Sequence, residues 1–197
     1  MARSKLTDIK QDIITDEGSI LLSFVKGEQI ELAIPIEFIN SATDGYTFEA
    51  VIVEAANEIG QTSPPKDILA DGVQNTLNVR LPNIIGAWQP NTEYFQENIV
   101  FNNNKWWRLR TLQLTANIEP QFDSRWVETH LNIIYVQFPS TIASDWDVKP
   151  QVEHPVYGFF EIRVTEPDNP VFVRTWKPVR GMIEILFSPT HIVPDVE

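Results

Sequence analysis

Gln29-Ile30-Glu31-Leu32-Ala33-Ile34-Pro35-Ile36-Glu37-Phe38 is the stretch that decides the fold. Ile30, Leu32, Ile34, Ile36 and Phe38 recur every second residue, with Gln29, Glu31 and Glu37 between them. That two-residue period puts the apolar side chains on one face of a β-strand and the polar ones on the other. Pro35 falls on the outward face and has no N–H to donate, so the strand is expected at a sheet edge or bulged there.

The same pattern extends in both directions. Upstream, Ile20 to Val25 is a short apolar run turned back by Lys26-Gly27-Glu28, and Ala2 to Ser19 reads as an extended polar arm, disordered alone or ordered against a neighbour. Downstream, Asp44-Gly45 is a hairpin-type turn, and Tyr46, Phe48, Ala50 and Ile52 alternate with Thr47, Glu49, Val51 and Val53. Leu77, Val79 and Leu81 give a strand that stops at Pro82. Ile133 to Phe138 is apolar on both faces, which places it centrally in a sheet.

Beyond that run, Pro139 to Pro155 is a long connection. Tyr157 to Thr165 is a strand with Phe160, Ile162 and Val164 inward, and Val171 to Trp176 pairs with it across Glu166 to Pro170. Lys177-Pro178-Val179-Arg180-Gly181 is expected to turn the chain into a last strand, Met182 to Phe187. No segment has a helical period. Seven or eight short strands with turns between them predict an all-β protein, an antiparallel β-sandwich.

Between these strands lies a segment of another kind, Gly86 to Trp126, which holds Trp88, Trp106, Trp107 and Trp126, four of the six tryptophans. The chain carries a net charge of −12. Thirteen acids face six bases before Gly86, five face four from Gly86 to His130, and nine face five after it, so the aromatic segment is a nearly neutral island. Only about 60 residues flank it on each side, short for an independent sandwich of roughly 100 residues, so an insertion into one sandwich is preferred over two separate domains. The expected organisation is an arm at 1–19, a sandwich at 20–85 plus 131–190, an inserted module at 86–130 and a polar tail at 191–197.

Composition narrows the function. No Lys/Arg-rich patch occurs, which argues against nucleic acid or an anionic membrane as partner. The absence of cysteine excludes disulfides, thiolate metal sites and cysteine nucleophiles. No apolar run approaches the roughly 18 residues of a membrane helix, and the N-terminus lacks a secretory pattern, so synthesis in a reducing cytoplasm is expected. His130, His154 and His191 are widely separated and form no ligand or catalytic spacing. Asp145-x-Asp147 with Glu153 has the residue types of a calcium site or a carboxylate pair, but without an EF-hand loop or a second acid cluster it reads as a solvated loop. No catalytic residue, metal or cofactor is expected, and the chain reads as a non-enzyme.

The aromatic segment resembles the small chitin-binding modules of carbohydrate-binding module families 5 and 12, through Trp88, Tyr94, Val100, Asn102 to Asn104, Trp106-Trp107, Pro120 and Trp126. It departs from that pattern at Glu97-Asn98 and Asn104-Lys105, where the family has glycine. The likeness covers about a fifth of the chain. The flanks, through Gly27 to Phe38, Tyr46 to Glu54, Gly158 to Thr165 and Gly181 to Phe187, resemble tailed-phage proteins of the baseplate-upper-protein kind with an immunoglobulin-like domain.

These resemblances imply an Ig-like sandwich and a virion structural protein of a tail, baseplate or neck. It would be made in the host cytoplasm, assemble as a homo-oligomer and dock other virion proteins. The alternative is a glycan-binding adhesion module on the host surface. The residues expected to grip a partner or glycan are Trp106, Trp107, Arg108, Arg110 and Tyr94. Adjacent Trp106 and Trp107 must point to opposite faces of their strand, so one is expected in the core and one outside. Trp88 and Trp126 are expected to close the module's core.

Overall fold

The computed structural model describes residues 5–8, 19–61, 63–151, 153–167 and 175–187, with side chains from 22 onward except at 175–179. The polar tail, most of the N-terminal arm and the expected 166–170 turn with its following strand lie wholly or partly outside them. The strands are β1 (Lys5–Asp8), β2 (Ser19–Val25), β3 (Ile30–Pro35), β4 (Thr47–Glu54), β5 (Gln74–Arg80), β6 (Asn83–Ala87) and β7 (Thr92–Phe95). They continue as β8 (Asn98–Asn102), β9 (Lys105–Leu109), β10 (Gln113–Ala116), β11 (Trp126–Thr129), β12 (Ile133–Phe138), β13 (Val156–Thr165) and β14 (Thr175–Leu186). The protein is all-β. The chain divides into two compact units, one of residues 1–33, 47–79 and 136–197, the other of 34–46 and 80–135.

The large unit carries most of an eight-stranded sheet ordered β1-β3-β12-β5-β4-β13-β14-β2. It curls until it is nearly closed. Phe138 of β12 shows how: its ring lies 5.0 Å from Phe24 of β2 and 5.9 Å from Phe160 of β13, both edge-on, although β12 and β2 are far apart in the strand order. Ala50, Ile52, Phe160, Ile162, Val164, Ile183 and Ile185 fill the inner face. The period-2 reading of β4 and β13 holds, because Ile52 opposes Phe160 and Ala50 opposes Ile162 across the ladder. β12 lies inside the sheet, as its two-sided apolar run predicts.

Three features differ from the sequence expectation. β2 runs parallel to β14, and β1 parallel to β3, so pairing is mixed rather than antiparallel throughout. β3 is buried on both faces, Glu31 and Ala33 included, and it ends at exposed Pro35, beyond the residues that β1 pairs. Proline therefore costs the ladder no donor, and Phe38 turns out to solvent, 45% exposed. Lys177 to Gly181 is no turn but the middle of β14. Ile162 pairs with Val179 and Val164 with Trp176, so Lys177 and Pro178 oppose Arg163 alone. That bulge absorbs the proline, whose missing N–H would otherwise break the ladder.

The small unit packs a two-stranded sheet, β10-β7, over one face of a four-stranded sheet, β11-β9-β8-β6. β6 runs parallel to β8 with a bulge between Ile84 and Gly86. Gly86 supplies the φ of 111° that the bulge requires. Residues 34–46 also belong here: Ile36 N–H donates to Asn132 O at 2.7 Å, and Ala42 N–H to Leu131 O at 2.8 Å.

Candidate functional site

The hairpin of β8 and β9 sets the geometry of the aromatic unit. Its loop is two residues, Asn103 and Asn104, with φ of 49° and 60°. Both sit in the left-handed region that a tight hairpin matching the twist of its strands demands, and Asn tolerates it where branched residues do not. The register that follows places Phe101 opposite Trp106 and Val100 opposite Trp107. Glycine is better still at the second turn position. Asn104→Gly should therefore raise the stability of the protein by about 0.5–1 kcal/mol in urea unfolding, and an unchanged or lower midpoint would rule out the turn assignment.

On the covered face, Tyr94, Val100, Leu109, Leu114, Ala116 and Trp126 form the core, with Trp88 and Trp107 packed against it. Tyr94 stands 5.4 Å edge-on to Trp126, and its hydroxyl accepts from Gln89 N–H at 2.7 Å. Tyr94 is thus an interior residue, 1% exposed, rather than a contact residue. Trp107 is the inward member of the tryptophan pair and donates its indole N–H to Asn102 O at 3.1 Å. Beside it, the Asn102 amide donates to Gln121 at 2.8 Å and Glu119 at 3.4 Å, and Lys105 pairs with Glu128 at 2.6 Å.

The opposite face carries Trp106. Its ring is tilted against Phe101 with centroids 4.9 Å apart, and Phe101 is 38% exposed. Ala87 continues that row outward on β6 and is exposed, whereas Thr129 on the other side of Trp106 is buried. Phe101 was not among the residues expected to make contact. The signal for it was present, since a two-residue asparagine turn pairs residues 101 and 106 directly.

Arg108 lies on the same face as Trp106 but inside the protein. Its guanidinium donates to Glu97 at 3.1 Å and lies 5.7 Å from the Tyr135 ring. Arg80 approaches the same carboxylate at 4.0 Å and stacks on Tyr135 at 4.5 Å. Arg110 is exposed beyond the end of β9, some 13 Å along the strand from Trp106 by strand rise. The expected cluster therefore separates: Tyr94, Trp107 and Arg108 hold the unit together, Trp106 faces outward with Phe101, and Arg110 stands apart. At the start of β11, Arg125 grips the Asp123 carboxylate through Nε at 2.9 Å and Nη2 at 2.7 Å, and these hydrogen bonds hold that carboxyl below its usual range.

Asp145, Asp147 and Glu153 are exposed, and between the two aspartates Trp146 is buried. Among the described residues, no group of three or more His, Asp or Glu is placed to hold a metal ion. Set against known families and curated proteins, the chain matches no family model and no curated protein.

Proposed function

We propose that this chain is a non-enzymatic structural component of a tailed-phage virion, in the tail, baseplate or neck, present in several copies and docking other virion proteins. The large unit then stands where the baseplate-upper-protein kind has its Ig-like sandwich, and the small unit is the inserted carbohydrate-binding-module-like part. The observation that carries this reading is the outward pair Phe101–Trp106. The unit's other tryptophans, Trp88, Trp107 and Trp126, lie in or against its core, whereas Trp106 remains half-open on the outer face of a sheet, tilted against Phe101. A large aromatic held by its own hairpin loses little entropy on binding and suits a protein interface.

Mass spectrometry of gradient-purified particles should find the chain in multiple copies. Trp106→Ala should reduce its incorporation by about tenfold, the scale of a lost interface anchor, while leaving its unfolding midpoint nearly unchanged. Absence of the chain from particles would sink the proposal. A second reading, a glycan-binding adhesion module, is favoured by the side chains of Asn102, Gln121 and Glu119, hydrogen-bonded to one another beside half-buried Trp107. A chitin pull-down and glycan array separate the two: retention of the parent chain and its loss in Trp107→Ala would favour the glycan, and no retention would remove it.

A further inference from the structure

The outer face of the large unit's sheet carries a groove that the functional reading above does not use. Val53 of β4, Phe159 of β13 and Met182 of β14 lie side by side in register and make an apolar floor. One residue pair further along, Glu161 opposes Arg180. The loop after β4 forms a wall with Lys66 and Ile68, Ile68 being tied to Ala55 by an isolated bridge. The open groove has a volume of about 780 Å³, the size of a ligand-binding cleft.

Its charge is the informative property. Lys66, Arg163 and Arg180 line it, with Glu161 as the carboxylate among the lining residues, in a chain of net charge −12. Glu161 accepts from Arg163 at 2.7 Å and meets Arg180 only at 3.6 Å, and Glu49 at the rim also pairs with Arg163, at 3.3 Å. Arg163 is therefore neutralised within the sheet. The Arg180 side chain stays 63% exposed, and Lys66 is exposed across the groove from it. Two open cations flank an apolar floor.

We infer that this groove is a docking surface for an acidic, apolar-bearing segment of a second copy of the chain. The inference rests on the multi-copy reading and names one contact through which copies meet. Copies this acidic repel one another over most of their surface, and a cation-rimmed apolar groove is where that repulsion reverses. The floor supplies apolar burial, and the two cations fix which kind of segment enters.

Sedimentation velocity of the full chain over a hundredfold concentration range tests this. The parent chain should self-associate, and more weakly as salt is raised. Arg180→Glu and, independently, Lys66→Glu should each weaken association by about tenfold or more, with circular dichroism confirming that both exposed-site variants stay folded. Lys26→Glu reverses an exposed cation outside the groove by the same charge and should leave association within about twofold. Association that ignores the groove reversals, or falls equally with Lys26→Glu, overturns the groove assignment and leaves the multi-copy reading standing. A parent chain that stays monomeric throughout overturns both.

Discussion

Gly158→Ala is expected to destabilise the large unit by about 3 kcal/mol, at the upper end for overpacking a well-filled core. Gly158 sits on the inner face of β13, between Glu54 of β4 and Ile183 of β14. A Cβ there would lie 2.4 Å from Cη2 of Trp146, with Ile52 Cδ1 and Trp146 Cζ2 both at 3.2 Å. The glycine is required for space, because the Trp146 ring occupies the place of its side chain. Trp146 comes from the long 139–155 connection and is 1% exposed. The loop thus delivers a plug to the rolled sheet, and Glu54, also buried, anchors it by accepting from Asp147 N–H at 3.1 Å.

The pair can be separated from a general effect of crowding. Trp146→Phe shortens the ring and removes an indole N–H that is buried without a hydrogen-bond partner. Relief of that N–H offsets part of the lost volume, so the single change should cost about 1 kcal/mol, against 3–5 for Trp146→Ala. Gly158→Ala made in the Trp146→Phe background should cost at least about 1 kcal/mol less than in the parent, a coupling typical of touching residues. Urea unfolding of the four proteins measures it. Strict additivity would mean that the ring does not fill the glycine's space.

Such features mark where the sequence stops being legible. Alternation identified β4 and β13, where the inward side chains recur at every second position, and a run apolar on both faces identified β12. It could not show that β2 pairs parallel with β14, since parallel and antiparallel neighbours ask the same of a strand's faces. Lys177-Pro178 reads as a turn for good local reasons, and only the bulge opposite Arg163 lets it continue a strand. Asp145-Trp146-Asp147 reads as solvated because its acids are; the ring between them is interior, and the loop is anchored beside it where Glu54, 93 residues away, accepts from the Asp147 N–H. At the aromatic site, the opposite orientation of Trp106 and Trp107 was readable from strand geometry, and the turn at Asn103-Asn104 decides their register. The burial of Arg108 was not readable, because a charge goes inside only when a partner is aimed at it, and here the left-handed turn at Glu97 does the aiming.

That partner gives the second large effect. Arg108→Met should destabilise the small unit by about 3–4 kcal/mol, because removing one member of a buried ion pair leaves the other uncompensated. The Arg108 and Glu97 side chains are 4% and 10% exposed. Glu97 is also held at φ 70°, a left-handed conformation that costs a residue with a Cβ about 1 kcal/mol, and its N–H donates to Leu109 O at 2.9 Å. The turn between β7 and β8 therefore keeps a strained backbone that aims this carboxylate inward. Arg80, 4.0 Å from the same oxygen, limits the damage and sets the estimate below the 5 kcal/mol extreme. Arg108→Met combined with Glu97→Gln removes both charges and should recover at least about half of the loss, since a neutral amide is far less costly to bury than a lone carboxylate. Equilibrium unfolding of the single and double variants decides the matter: an Arg108→Met loss below about 1 kcal/mol would place the pair among screened surface contacts and remove it as the element that fixes the β7–β8 turn beneath the Phe101–Trp106 face.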